Sequence, residues 1–111
     1  MKGVFPEPIL NLPKADLPFD GVNAFLFQGE KYQIIFMEFE KDTDVPEHSH
    51  ESQWEIVLDG KVDYFELGKK YTYKRGDRFY IPAGTKHSAK VYKGYSAIAF
   101  FNQKDRYKKL K

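Results

Sequence analysis

A chain of 111 residues with 18 basic and 16 acidic side chains, net charge +2 at pH 7, has the length of a single domain with one modest core. It contains no cysteine, which excludes disulfide staples and thiolate ligands or nucleophiles. No apolar run approaches the roughly 18 residues of a membrane helix, and Met1-Lys2-Gly3 leads into Val4-Phe5-Pro6 rather than a signal-peptide core, so a cytoplasmic protein with no membrane partner is expected.

Four of the six prolines (Pro6, Pro8, Pro13, Pro18) fall in residues 1–21. Proline lacks an amide donor and disfavours helix in the residue before it, which predicts an extended, irregular arm. Such an arm packs on a sheet edge, packs on a second subunit, or stays loosely ordered. From residue 22 to 103 short apolar or aromatic runs alternate with turn residues, as ten Phe, eight Tyr and one Trp favour. Strands are predicted over 22–28, 32–40, 53–58, 62–67, 71–73, 78–81, 87–92 and 95–101. Residues 41–46 read as a polar loop that delivers His48 and His50. Asp59-Gly60 reads as a two-residue type I′ hairpin turn, with further turns at Gly29-Glu30, Gly68-Lys69, Pro82-Ala83-Gly84 and Lys93-Gly94. Eight or nine strands at this spacing indicate an all-β sandwich or barrel, with any helix a single turn near the C-terminus. Residues 104–111 form a basic tail of five cationic groups and one acid, read as a solvated, partly frayed end rather than a polyanion contact. No zinc-finger spacing, RNA-recognition motif or helical basic stripe points to nucleic acid.

All three histidines sit where a small barrel would need them to grip one ion. In a strand, residues i and i+2 share a face, so His48 and His50 can converge on one point while His87 reaches them from a neighbouring strand. Imidazole is the commonest metal ligand and binds in its neutral form near pH 7. Any one of these histidines alone is better read as an ordinary surface residue; the set in this context points to a metal.

The run His48-Ser49-His50-Glu51-Ser52-Gln53-Trp54-Glu55 followed by Gly60 resembles the first motif of the cupin family, G-x5-H-x-H-x(3,4)-E-x6-G, with Asp42 where the leading glycine is expected. Gly76, Pro82, Gly84 and His87 match the second, G-x5-P-x-G-x2-H-x3-N, with Val91 in place of the terminal Asn. Fifteen residues separate Gly60 from Gly76, as in a compact single-domain cupin. The resemblance implies a double-stranded β-helix, or jelly-roll barrel, holding one divalent ion (Zn, Fe, Mn or Ni).

The family's acidic ligand usually lies seven residues before the closing glycine, and here that position is Gln53. Glu55 follows two residues later on the same strand face, about 6.6 Å further along. Either Gln53 completes the shell with Glu55 as supporting partner or general base, or Glu55 is the ligand and Gln53 supports it. Glycine spacing favours Gln53; histidine spacing and the preference of divalent metals for carboxylate favour Glu55. We weight the glycine, because a hairpin turn fixes register, and take His48, His50, Gln53 and His87 as the metal set with Glu55 as the catalytic candidate. Glu51, one position from His50, points elsewhere.

Phe36 or Met37, Glu38, Trp54, Phe79, Tyr80, Tyr92, Phe100 and Phe101 are candidates for the pocket wall, although each alone is better explained as core or dimer interface. The expected function is a divalent-metal-dependent enzyme acting on a small oxygen-bearing or anionic molecule, or else a metabolite-sensing module without catalysis. Open jelly-roll edges and the proline-rich arm add the expectation of a homodimer.

Overall fold

The structure, a computed structural model, describes residues 3–110; Met1 and Lys2 of the arm and Lys111 of the tail lie outside the described residues. Nine strands follow one short helix: α1 (Glu7–Leu10), β1 (Val22–Gln28), β2 (Gln33–Phe39), β3 (Thr43–His48), β4 (Gln53–Asp59), β5 (Lys61–Glu66), β6 (Lys69–Lys74), β7 (Arg78–Ile81), β8 (His87–Val91) and β9 (Ser96–Phe101). They form a five-stranded sheet in the order β1-β2-β9-β4-β7 and a four-stranded sheet in the order β3-β8-β5-β6, every pairing antiparallel. Two such sheets enclosing one core are the jelly roll expected from the turn spacing. The register sets β1, β2, β9, β4 and β7 side by side, so that Leu26, Ile35, Ala99, Glu55 and Phe79 form one inward row and Gln33, Phe101, Gln53 and Ile81 another. Ala97 and Ala99, both fully buried, keep the middle of that inner surface low.

The bounds of β1 and β7 coincide with the predicted ones, but three features differ. Residues 41–46 are not a loop: β3 begins at Thr43 and runs into His48. Pro46 and the flanking acids hide it in the sequence, and it is tolerated because β3 is an edge strand, where the missing proline donor breaks no ladder. The register shift between Val45 and His48 falls at this proline. The helical turn lies near the N-terminus, not the C-terminus, with Pro6 capping it and Pro8 in its first turn, where a proline costs no hydrogen bond.

The third difference is at Gly60. Strands β4 and β5 belong to different sheets, so Asp59-Gly60 is a corner between sheets and not a hairpin. Gly60 has φ +73°, and a Cβ there would stand 2.7 Å from the Tyr95 Cα and 2.8 Å from the Gly94 carbonyl oxygen. The two-residue hairpin is instead Leu67-Gly68, both at positive φ (53° and 76°), joining the paired residues Glu66 and Lys69. No hairpin therefore fixes the position of Gly60; close packing on Tyr95 does.

The described part of the proline-rich arm packs on the free edge of β1. The Ala15 amide donates to the Ala24 carbonyl (2.9 Å), the Leu26 amide to Pro13 (2.7 Å), and Phe5 stacks edge-on against Phe36 at 5.6 Å. The described end of the basic tail, residues 108–110, pairs with the arm. The Asp16 amide donates to Lys108, the Leu110 amide to Lys14, and Gln33 bridges to both backbone groups of Tyr107. Among the described residues no helix is long and apolar enough to cross a membrane.

Candidate metal centre

His48 and His87 are direct cross-strand partners, one at the end of β3 and the other at the start of β8. His50 lies past the end of β3, so the i, i+2 strand spacing does not place it. Its position comes from the loop: the Gly84 amide donates to the His50 carbonyl (2.9 Å), and the Asn102 amide donates to Ser52 (2.9 Å). The Pro82–Gly84 turn thus fixes His50 as well as His87. The three ring centroids stand 4.3 to 5.1 Å apart, and one ligand nitrogen from each lies within 4.8 Å of the others.

Each ring is held by the same device. Nδ1 of His48 donates to the Pro46 carbonyl (2.8 Å), Nδ1 of His50 to Glu51 (2.7 Å) and Nδ1 of His87 to Thr85 (2.9 Å). A carbonyl can only accept, so the proton sits on Nδ1 and the Nε2 lone pair is left free in all three rings. Burial pushes the pKa of His50 down to about 4 and lowers that of His87, which favours the neutral form. Neutral, tautomer-locked imidazoles converging on one point are what a divalent metal requires of its ligands. The donor set fits such an ion.

Gln53 and Glu55 lie on the inner face of β4, both buried and both lining the same cavity as the histidines, a space of about 340 Å³. Gln53 Nε2 donates to Glu55 Oε1 at 2.7 Å, and the Tyr95 hydroxyl donates to Glu55 Oε2. Burial raises the Glu55 pKa to about 7 against the opposing effect of those two donors. Glu55 is not among the groups whose ligand atoms cluster within 4.8 Å of one another with the histidines. Glu51 is exposed.

Of the candidate wall residues, Met37, Phe79 and Phe101 line the cavity. Trp54, Tyr80 and Phe100 do not: they share one row on the outer face of the five-stranded sheet. Phe36 meets Phe5 on that same side, Glu38 approaches Gly3, and Tyr92 donates to Asp63 on the smaller sheet. Sequence reasoning missed Tyr95 and Arg106, both of which line the cavity. Tyr95 follows a Lys93-Gly94 turn and looks like an ordinary strand start, whereas Arg106 is hidden among the charges of the tail. Two of the three departures from the family motifs, Asp42 and Val91, also find structural roles. Asp42 accepts from the Lys93 amide (2.8 Å), tying two turns together, and Val91 is a buried core residue.

Comparison with known proteins agrees with this architecture. The Cupin domain family model matches residues 35–94. A quercetin 2,3-dioxygenase of Bacillus subtilis is 31% identical over 78 residues, 68% of this chain but 23% of that protein, so the chain spans under a quarter of its relative's length. KdgF from Halomonas sp. superposes with a TM-score of 0.70 at 21% identity, covering 83% of this chain and 88% of the other. An RmlC-like cupin from Shewanella frigidimarina gives 0.71 at 21% identity, covering 85% and 86%. At such identity the two structures speak for the fold alone. With the family model covering more than half of its residues, and both histidine motifs folded around one cavity, the chain belongs to the cupin domain family.

Proposed function

We propose that the protein is a divalent-metal-dependent enzyme acting on a small oxygen-bearing or anionic molecule, with His48, His50, His87 and Gln53 holding the ion and Glu55 managing a proton beside it. The observation that carries this reading is the pairing of three Nε2 atoms left free by their Nδ1 bonds with a buried carboxyl group in the same cavity. Gln53 commits its amide nitrogen to Glu55, which leaves its oxygen for the ion. The ion, whether Zn, Fe, Mn or Ni, would polarise a bound oxygen and lower the pKa of bound water.

The chain's own residues do the rest. Three imidazoles and an amide carry no charge, so the full charge of a divalent ion would be felt by an anionic ligand. The same shell favours M²⁺ over M³⁺, hence Lewis-acid chemistry over oxygen activation; ready oxygen consumption by the iron form with an organic substrate would overturn that preference. Glu55, with a pKa near neutrality, is suited to take or give a proton, and Tyr95 orients it.

A second reading, a metabolite sensor, is favoured by one fact: both Glu55 oxygens already have donors, as in a purely structural buttress. Elemental analysis of tag-free protein, combined with Glu55→Gln, separates the two. In an enzyme, this variant keeps its metal and loses about 100-fold or more in turnover. In a sensor, ligand binding survives it unchanged. Protein that holds no divalent metal after purification and equilibrium dialysis would defeat both.

We further propose a homodimer formed through the outer face of the five-stranded sheet. Phe27, Ile34, Phe100, Trp54 and Tyr80 stand in register across all five strands, with Trp54 and Tyr80 in contact at 4.7 Å. Such a contiguous apolar row on a monomer marks an interaction surface.

A further inference from the structure

Arg106 has no counterpart in the metal reading, yet it borders both the histidine cavity and the adjoining groove of Ser49, His50, Glu51, Gly84 and Gln103. Its guanidinium lies over the Tyr107 ring at 4.4 Å and faces Phe101 at 5.7 Å, which fixes the plane of the fork. Tyr107 is itself anchored through both of its backbone groups to the buried Gln33. The tail thus delivers a guanidinium to the cavity mouth.

That guanidinium is unspent. Among the described residues, Arg106 forms no ion pair within 4.0 Å, and its Nε is the one buried side-chain nitrogen or oxygen with no hydrogen-bond partner. The nearby Gln103 is otherwise engaged: its oxygen accepts from the Glu51 amide (3.3 Å) and its nitrogen donates to Asp105 (3.2 Å). Nε is enclosed, whereas the two terminal nitrogens are neither enclosed without a partner nor hydrogen-bonded within the chain, so they are the donors that a ligand can reach.

We infer that Arg106 is the specificity-determining group of the site, pairing its guanidinium fork with a carboxylate of the substrate while another oxygen of the same molecule faces the histidines. This rests on the proposed small-molecule site and narrows its substrate class to carboxylic acids bearing a second oxygen. A fork of N–H donors matches a carboxylate in two parallel bonds. No lysine and no second arginine lines the cavity or the groove, so Arg106 is the one basic chain group there with which a carboxylate can pair. The largely apolar wall strengthens that pairing by excluding water.

Calorimetric titration with glycolate, 3-hydroxypropionate and 4-hydroxybutyrate, each against its neutral primary amide, tests the assignment. Wild type, Arg106→Gln and Arg106→Lys are compared, with metal content measured on every sample. In wild type at least one acid should bind tenfold or more tightly than its amide. Arg106→Gln should lose about tenfold or more of that preference at unchanged metal content, and Arg106→Lys, which keeps the charge but not the fork, should fall between. If none of the acids binds, or Arg106→Gln keeps the full preference, the inference is overturned while the metal reading stands. Wild type without metal defeats the metal reading instead; the acid-over-amide preference of the metal-free protein then decides for or against Arg106. Should Arg106→Gln fail to fold, Arg106→Lys decides: loss of preference supports the assignment and full retention overturns it.

Discussion

Strand β4 turns Gln53 and Glu55 into the barrel and Trp54 and Ile56 out of it, the reverse of the apolar-in, polar-out alternation of a sheet with one wet face. Trp54 is 49% exposed and Ile56 47%, whereas the amide and the carboxyl are almost wholly enclosed. The two faces of one strand thus solve different problems. Inside, polar groups cost desolvation that is offset by the Tyr95 hydroxyl and by their bond to each other. Outside, apolar groups remain in water until something covers them. Under the proposed function, polarity on the wrong side of the strand marks both the cavity and the dimer face.

The outer face offers the largest effect. If a second copy covers it, Trp54→Lys should convert a dimer to a monomer, raising the dissociation constant about 30-fold or more, as expected for loss of a buried aromatic anchor. Light scattering across a concentration series reads this, with metal content as a control that should not move. A wild-type monomer at all concentrations would leave the outer row without that explanation.

The inner face is tested by changing its polarity without its shape. In metal-free protein, Gln53→Glu sets two carboxyl groups side by side in a buried space. A shared proton relieves them at low pH, and ionisation of both opposes folding as pH rises. The variant should approach wild-type stability near pH 5 and lose about 2 kcal/mol or more by pH 8, followed by thermal melting across that range. A pH-independent deficit would mean that the two groups do not face one another in solution.

Tyr95→Phe makes the smallest change, removing one hydroxyl donor from Glu55. The carboxyl group keeps Gln53 as its partner, so a stability loss of about 1–2 kcal/mol in urea unfolding is expected. A loss below a few tenths would show that the contact with Tyr95 does not support the inner face.

Local pattern carried much of this into the sequence. His48, His50 and His87 were legible as a set because two short motifs hold them at regular spacing, and the structure does gather them. Residues 22–28 and 78–81 were legible as strands to the residue, since each is a β-prone run bounded by turn-forming or charged residues. Thr43 to His48 was not, because its proline and acids oppose a strand locally and the edge position that excuses them is a property of the sheet. Asp59-Gly60 looked like a hairpin for the same reason: a turn dipeptide does not reveal whether its flanking strands pair with each other or with others.

By itself the sequence determined a cysteine-free all-β domain, its approximate strands and the three imidazoles that meet, because period-two patterning and turn chemistry are local. Tertiary structure alone decided which face each strand buries. That choice put Phe100 and Trp54 outside, Glu55 and Tyr95 together inside, and the guanidinium of Arg106 from a basic tail at the mouth of the cavity. Register and sheet partnership are long-range quantities, and a one-residue slip would exchange the two faces of β4.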